Sequence, residues 1–564
     1  MIDVSVDYKN ATKSKFRNSY VFARYGLYNK TAKRSTSVIG VDASAFSNTP
    51  RVLNEMYDTE YNYITLEPDK IKLDGTFYFI NDKTKPDDNQ FIGYWSGTLS
   101  DANGNISGSA LEFITSGLID PTPLTLFFAE IVSSFKIEYF NDLVLLETLN
   151  VVDNTDLKYE TVIPAFAQKF NKIVITFLKT LEPFRYVKFS ELDYGITEIF
   201  TENEIVDIDL VDATDLYSGE LISNELNLTI NDDGRYDVLN PYNRLATLQE
   251  KQEITLYHNL KVNGKYETIP LGTFLLKTYK NSKNKLTLTC YDDIYFMNKL
   301  YYGSKFYINA RIEDILTDLF TYFNYVKYEI DDNIKDFTLS GYIPHVQFRE
   351  ALRLIAEASK CIVVKDRYGI TQITNTLNET VVETYENIEI STEKNLYNNV
   401  IDMNEHIYNT KIPQEIYNVF LEAGAYHIVF ENYPCVNITG NVQLINIYAT
   451  GADIIVDVDK QVVLNGDVYT TEKVVHRIKR DDTIIVDEYA ISTINNPLIT
   501  NNYYDIAMWK LNRDEITKNI KIPVAPYVEV GDLVSIKTKY GNLVNVRINE
   551  INIDNSILAY VGGE

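Results

Sequence analysis

The side chains that most often carry out chemistry are few and scattered in this sequence. Two metal ligands on one helical face need histidines four residues apart, and neither that spacing nor the HExxH pattern of zinc proteases occurs. Each histidine is therefore predicted to be structural. The five histidines are His258, His345, His406, His427 and His476.

Patterns for nucleophilic catalysis and phosphate binding are also missing. The sequence has no GxSxG, GxxxxGK[ST] or GxGxxG motif, and Cys290, Cys361 and Cys435 form no CxxC pair, so they are predicted to be reduced, buried thiols. With 79 carboxylates, a pair resembling a glycosidase dyad is expected by chance. A triad assembled from distant positions would not show in the sequence, but the prediction is no enzyme and no cofactor.

Two acidic clusters suggest a metal hypothesis. One contains Asp207, Asp209, Asp212 and Asp215. The other is a calcium-like loop that starts at Asp101 and has Glu112 at its twelfth position, but it lacks oxygen donors at intermediate positions such as Ala102. Because Asp-Asn-Gly loops are more often plain turns, no metal is predicted.

Aromatic side chains near Trp95 have two interpretations. Tyr61, Tyr63, Tyr94 and Trp95 could form a platform for a cell-wall sugar, because flat rings stack on sugar faces. The favoured alternative is that they fill a sandwich core or a subunit contact.

Length, composition and charge limit the remaining classes. A chain of 564 residues is several times a typical domain of ~150 residues, so several domains are expected. A net charge of −26 would repel nucleic acid, and stable nucleic-acid binding is not predicted. No apolar stretch is long enough for a membrane span or a secretion signal, so synthesis in the cytoplasm is expected.

The elements that must position these residues are mainly β-strands. Residues 1–44 are rich in lysine and arginine and are predicted to be a basic arm, either solvated or lying on an acidic neighbouring subunit. Short alternating runs predict a β-sandwich over 45–200 and a second β unit over 201–310. Helical spacing predicts an α+β unit over 311–395. Strands return over 396–564, with a β insertion at about 413–490 and a helix over 504–518.

Several stretches resemble tail hub proteins of phages from Gram-positive hosts. Residues 224–241, 269–274 and 290–293 resemble the first hub β-barrel, and residues 311–316, 348–358 and 366–373 resemble the small α+β unit between the barrels. Residues 496–499, 530–534 and 538–541 resemble the returning half of the second barrel. Residues 63–100 are similar, more loosely, to a β module that precedes such hubs in clostridial prophages.

The resemblance implies a baseplate hub of the late control protein D class, in a tailed phage or a contractile bacteriocin. It implies two hub-type β-barrels at 201–310 and 396–564, separated by the α+β unit. Such hubs are commonly homo-trimers that contact the tail tube, spike, fibre or wedge proteins in the virion or tail-like particle. The long front module and the insertion depart from the simplest hubs. The alternatives are a polysaccharide-binding adaptor of the tail tip and, as a third hypothesis, an enzyme that hydrolyses the cell wall.

Overall fold

The computed structural model describes most of the chain. The residues outside the described part are 1, 3, 15–16, 46, 54–62, 74–76, 78–92, 217–218, 238, 241–247, 264, 283, 378, 387–389, 395–399, 432, 481–490, 513–515, 524, 554–557 and 564.

The N-terminal segment is built into the fold and does not form a separate arm. Strand β1 occupies an interior position in the largest sheet, between two strands from distant parts of the sequence. Its Tyr-Val-Phe-Ala-Arg-Tyr run is rich in aromatic and apolar residues, which suits an interior strand, whereas the positive charge of residues 1–44 predicts a solvated or subunit-bound arm. The elements of this segment are α1 Val6–Thr12, β1 Ser19–Tyr28, α2 Lys30–Arg34 and β2 Thr36–Val41.

The following strands form a two-layer sandwich. In its central strand, Phe170–Thr180, the side chains of Ile173, Ile175 and Phe177 are buried, and the residues between them are more exposed. This is the period of two that a strand with one buried face must have. The five-stranded sheet β2-β4-β9-β6-β7 packs against the β10-β5-β8 end of the largest sheet. The strands are β3 Tyr94–Trp95, β4 Ala110–Ile119, β5 Leu124–Phe128, β6 Val132–Asn141, β7 Val144–Val151, β8 Lys158–Glu160, β9 Phe170–Thr180 and β10 Lys188–Phe200.

A second β unit continues the largest sheet. The strand order β11-β12-β15-β14-β13-β1-β10 carries the ladder from this unit through β1 into the sandwich. The turn at Asp232 and Gly234 follows β12, where the Asn-Asp-Asp-Gly sequence predicts it. The strands are β11 Ile205–Ala213, β12 Glu225–Asn231, β13 Glu253–Val262, β14 Lys265–Ser282, β15 Lys285–Tyr291 and β16 Leu300–Tyr301.

The α+β unit forms where the sequence period changes to helical. The apolar faces of both predicted helices are buried in one core with α5. The α+β unit contains β17 Tyr307–Arg311, α3 Ile312–Tyr322, β18 Tyr328–Ile330, β19 Thr338–Gly341, β20 Val346–Gln347, α4 Phe348–Ser359, β21 Ile362–Lys365 and β22 Thr371–Thr374.

The last part of the chain returns to the largest sheet and carries the insertion on two long strands. β25 and β30 pair along nearly their whole length, so the insertion grows from continuous strands that begin well before residue 413. The elements are β23 Val381–Glu386, β24 Ile390–Lys394, β25 Val400–Leu421, β26 Gly424–Val429, β27 Cys435–Gly440, β28 Gln443–Ile447, β29 Gly451–Val456, β30 Lys460–Lys479, β31 Ile491–Ile494, α5 Tyr503–Leu511, β32 Ile516–Pro523, β33 Leu533–Lys537, β34 Leu543–Ile553 and β35 Leu558–Gly563.

The helix predicted over 504–518 is shorter than expected. It ends at Leu511, and β32 begins at Ile516. The segment from Ile516 pairs with β35, and this pairing supplies the backbone hydrogen bonds that a further helical turn would otherwise supply.

Two β units that are far apart in sequence meet in one ladder. β11 pairs with β34 through Leu210 and Ile553 at one end and Ala213 and Glu550 at the other. One apolar core contains residues from both units, including Leu226, Leu288 and Val546. The mainly β, multidomain architecture expected from the sequence is confirmed. The described ladder runs on from unit to unit, and the two separate barrels stay a prediction.

Candidate functional site

A buried ion cluster joins the N-terminal segment to the sandwich. The Arg24 guanidinium donates to Glu191 at 2.8 Å and also to Asp193, while Lys33 donates to Asp193 at 2.6 Å and also to Glu191. All four side chains are at most 3% exposed. Burial alone would raise the pKa of Asp193, but the two cations and the Thr197 hydroxyl hold it below its ordinary value.

A second buried ion cluster, around Lys188, lies in the sandwich beside the predicted sugar platform. The Lys188 ammonium contacts Glu67 at 2.8 Å and Glu130 at 2.6 Å, and lies 4.6 Å from the centre of the Trp95 ring. Both Lys188 and Glu67 are buried. The polar groups next to Trp95 therefore bind each other, and removal of one partner would leave a buried charge without compensation.

The predicted sugar-contact residues are buried where the structure describes them. Tyr94 is 0% exposed, Trp95 1% and Tyr63 6%, and Tyr61 lies outside the described residues. Tyr94 stacks on Phe177 and donates its hydroxyl to the Val41 carbonyl at 2.7 Å. This burial favours the core interpretation, and the sugar contact stays a prediction.

The calcium-like loop is a plain turn in this structure. The Asp101 carboxylate accepts hydrogen bonds from the backbone N–H groups of Asn103 and Asn105, both at 2.8 Å, and these bonds lower its pKa. Gly104 takes a positive φ of 81°, which a tight turn needs. Glu112 lies in β4, and its carboxylate contacts Lys172 at 2.7 Å.

The aspartates of the other acidic cluster differ in exposure along β11. Along β11, Asp207 and Asp209 are exposed, whereas Asp212 is buried and burial raises its pKa to about 6. Asn224 connects Asp212 to Asp292 by donating its side-chain amide to one and its backbone N–H to the other, both at 2.9 Å. The pKa of Asp292 is also raised by burial, to about 7.

His258 is a buried histidine beside the core that joins the N-terminal helix to the second β unit. It lies in β13 and its Nδ1 is 2.9 Å from the Tyr8 hydroxyl of α1, which packs into the same core. Burial, helped by Arg17 and Arg367, lowers the pKa of His258 to about 3. The ring is therefore neutral in the folded protein and connects the N-terminal helix to the second β unit.

Acid should weaken the fold through His258. Its pKa is lower in the folded protein than the ordinary value of 6.5, so the unfolded chain gains a proton that the folded chain rejects. Stability is complete above about pH 6.5 and is lost progressively as the pH falls toward 3. We expect the thermal midpoint to fall less steeply between pH 6.5 and 4 in His258→Gln than in the native protein. Parallel pH profiles for the two proteins would contradict this assignment.

The remaining histidines each have a local partner. His406 binds Asn495 at 3.0 Å, His476 contacts Glu405 at 2.8 Å and His427 contacts Asp453 at 2.7 Å. His345 packs against the Tyr302 ring, where burial lowers its pKa. These contacts lie at junctions between elements, in agreement with structural roles.

The three cysteines are buried and unpaired with one another. Burial raises the pKa of Cys361 to about 11 and that of Cys435 to about 12, and it raises the pKa of Cys290 as well. A thiol in this condition is a poor nucleophile, because the thiolate is the reactive form.

A large cleft lies where three parts of the chain meet. Its volume is about 1030 Å³, and its walls come from α2 and β2, from β13 and β14, and from the loops beside β18 and β22. Arg34, Lys327 and Arg367 line it together with Glu267 and Glu329. Sequence analysis did not find this cleft, because its walls come together only through long-range strand pairing.

Within the described residues, the polar groups of the cleft and its surroundings are arranged to hold modules together. Arg367, which is 3% exposed, donates to the carbonyls of Pro526 and Val528 at 2.6 and 2.7 Å. Glu267 accepts hydrogen bonds from both the backbone N–H and the hydroxyl of Ser5.

The described part of the chain contains no group of three or more His, Cys, Asp or Glu side chains placed to hold a metal. Nor does it contain a helix both long and apolar enough to span a membrane.

No family model matches the chain, and no curated protein matches it in sequence. Among solved structures, a 43 kDa tail protein of prophage MuSo2 from Shewanella oneidensis has a TM-score of 0.38 at 12% identity, over 65% of this chain and 94% of that one. A tail protein from Neisseria meningitidis has a TM-score of 0.37 at 10% identity, over 64% and 93%. Prophage tail protein gp18 from Listeria monocytogenes has a TM-score of 0.33 at 9% identity, over 65% and 91%. These values are too low to assign a function to this chain.

Proposed function

We propose that this protein is a non-enzymatic structural hub of a phage-type tail baseplate, which joins the tail tube to the distal spike or fibres. The observation that carries the proposal is the β11–β34 ladder. It brings two β units from opposite ends of the hub-like region into one sheet and leaves the α+β unit and the insertion outside. This is the order of parts that the sequence resemblance implies.

The internal electrostatics support a structural role. Arg24, Lys33 and Lys188 are all buried against carboxylates of their own chain, and Arg367 donates to the backbone carbonyls of Pro526 and Val528, between β32 and β33. Groups held in this way resist movement of one module against another. A protein that transmits force between tail parts requires such rigid junctions.

We further propose a homo-trimer in the baseplate of a virion or tail-like particle. Three chains with two similar β units each would offer six related surfaces to a six-fold tube, and would close a ring without open edges. The surplus of acidic residues, a net charge of −26, would keep passing DNA from binding if part of it lines the lumen.

The test is the native mass of the full chain and its shape with and without tail-tube protein. Light scattering is expected to give three times 64.9 kDa, and negative-stain averages are expected to show rings capping tube ends. Val211→Pro should break the β11–β34 ladder and abolish the rings, whereas Val144→Pro, at the outer strand of the sandwich, should leave them intact. A chain that stays monomeric and forms no ring with the tube protein would refute the proposal.

A further inference from the structure

The cleft of about 1030 Å³ is bordered by two open strand edges. In the described part of the chain, β2 pairs with β4 alone and β18 pairs with β22 alone, so each is the last strand of its sheet. Thr36, Ser37 and Val38 of β2 and Tyr328 and Glu329 of β18 line the cleft. An open edge presents unpaired backbone N–H and C=O groups to whatever lies beside it.

The register of β2 shows which of its backbone groups are available. Ser116 donates to the Ser35 carbonyl, and the same register pairs Ser37 with Ile114. Hydrogen-bonded and non-hydrogen-bonded pairs alternate along an antiparallel ladder, so the N–H and C=O of Thr36 and Val38 point away from β4. Thr36 and Val38 both line the cleft, so a further strand added to this edge would lie within it.

The charge of the cleft is opposite to that of the whole chain. Its charged lining consists of four basic side chains and two acidic ones, although the chain has 53 basic and 79 acidic residues. Lys33 is neutralised by the buried ion cluster, and Lys327 contacts Glu253 at 3.2 Å. Both acidic side chains already accept hydrogen bonds from the protein, Glu267 from Ser5 and Glu329 from Gln372. Arg34 is exposed at the end of α2, where β2 begins.

We propose that this cleft accepts an extended acidic segment of a partner protein, which adds to β2 as a further strand. Its backbone would bind the free edge of β2, and its carboxylates would meet Arg34, at the end of α2, and Lys327, just before β18. Strand addition supplies backbone hydrogen bonds that depend little on sequence, while the basic walls select acidic side chains. The inference does not depend on the hub proposal, because it concerns one face of a single chain.

The test uses the full chain and a fluorescein-labelled peptide in which glutamate and valine alternate, matched to the six residues of β2. Fluorescence anisotropy is expected to show saturable binding. A peptide with lysine in place of glutamate should not bind, and neither should the glutamate peptide with alternate backbone nitrogens methylated. The double variant R34Q/K327Q should weaken binding by about tenfold or more, because two charge contacts are lost. Lys169→Gln, an exposed lysine outside the cleft, is the matched control and should bind normally.

Three results would overturn the inference. The first is the absence of binding to the native chain, which would mean that another part of the same chain fills the cleft. The second is equal binding of the lysine peptide or of the methylated peptide. The third is a change in native mass when R34Q/K327Q is compared with K169Q, since that would assign the cleft to a second copy of this chain.

Discussion

Replacing Arg24 with methionine is expected to destabilise the N-terminal sandwich by about 3–5 kcal/mol. The substitution would leave Glu191 and Asp193, which are both 0% exposed, with Lys33 as their remaining cation. A buried carboxylate that loses its partner keeps its full desolvation penalty, which explains the size of the effect. Because Arg24 lies in β1 and both carboxylates lie in β10, the loss should weaken the sandwich and the strand junction together.

The measurement can be restricted to the sandwich. The chain has two tryptophans, and Trp95 lies in the sandwich core while Trp509 lies in α5. In a Trp509→Phe background, urea unfolding followed by tryptophan fluorescence reports on the region around Trp95. R24M should shift this transition strongly toward lower urea concentration.

Lys169→Met provides the matched control for the loss of a cation. Lys169 contacts Asp120 at 3.1 Å, but both side chains are more than half exposed, so water screens the pair. Its urea transition should stay close to that of the parent. If R24M and K169M shifted the transition equally, the buried cluster would not be a stabilising element.

Replacing Ala23 with proline should have an effect of similar size by another mechanism. Ala23 is fully buried in β1 and pairs with Phe200 on one side and with Leu256 on the other. Proline removes the backbone N–H and clashes within an interior strand, which costs about 3 kcal/mol or more. Since β1 carries the ladder from the second β unit into the sandwich, the two parts should lose their connection.

The expected results are a lower thermal midpoint and rapid protease cleavage between the sandwich and the second β unit. Lys13→Ala is the control from the same basic segment. It removes one positive charge and a contact of 2.9 Å to Glu383, but its side chain is 56% exposed and lies outside the strand. An unattached basic arm would tolerate A23P, so a stable, protease-resistant variant would restore the interpretation that we made from the charge pattern.

Local periodicity could be read correctly from the sequence. Helices α3 and α4 follow from apolar residues at helical spacing, which must bury one face, and β9 follows from a run rich in β-branched and aromatic residues. The end of α5 could not be read in this way. The residues after Leu511 suit either a helix or a strand. Pairing of β32 with β35 selects the strand.

The ion cluster shows what local reasoning missed. Arg24 and Glu191 are separated by 167 positions, and each looks like a solvent-exposed charge on its own strand. The positive charge of the N-terminal segment suggested a partner outside this part of the chain. Two of those charges are instead neutralised inside the fold by carboxylates of β10.

The sequence by itself determined the mainly β class, the position of the α+β unit and the buried state of the cysteines, since these depend on short-range pattern and composition. The tertiary structure alone decided that β1 joins the second β unit to the sandwich and that β11 pairs with β34. It also decided that a cleft with basic side chains opens between α2 and β2 on one side and β13, β14 and β18 on the other. The physical reason is that backbone hydrogen bonds are the same for every residue type. Which strand edges meet is therefore set by the packing of the whole chain rather than by the residues on either strand.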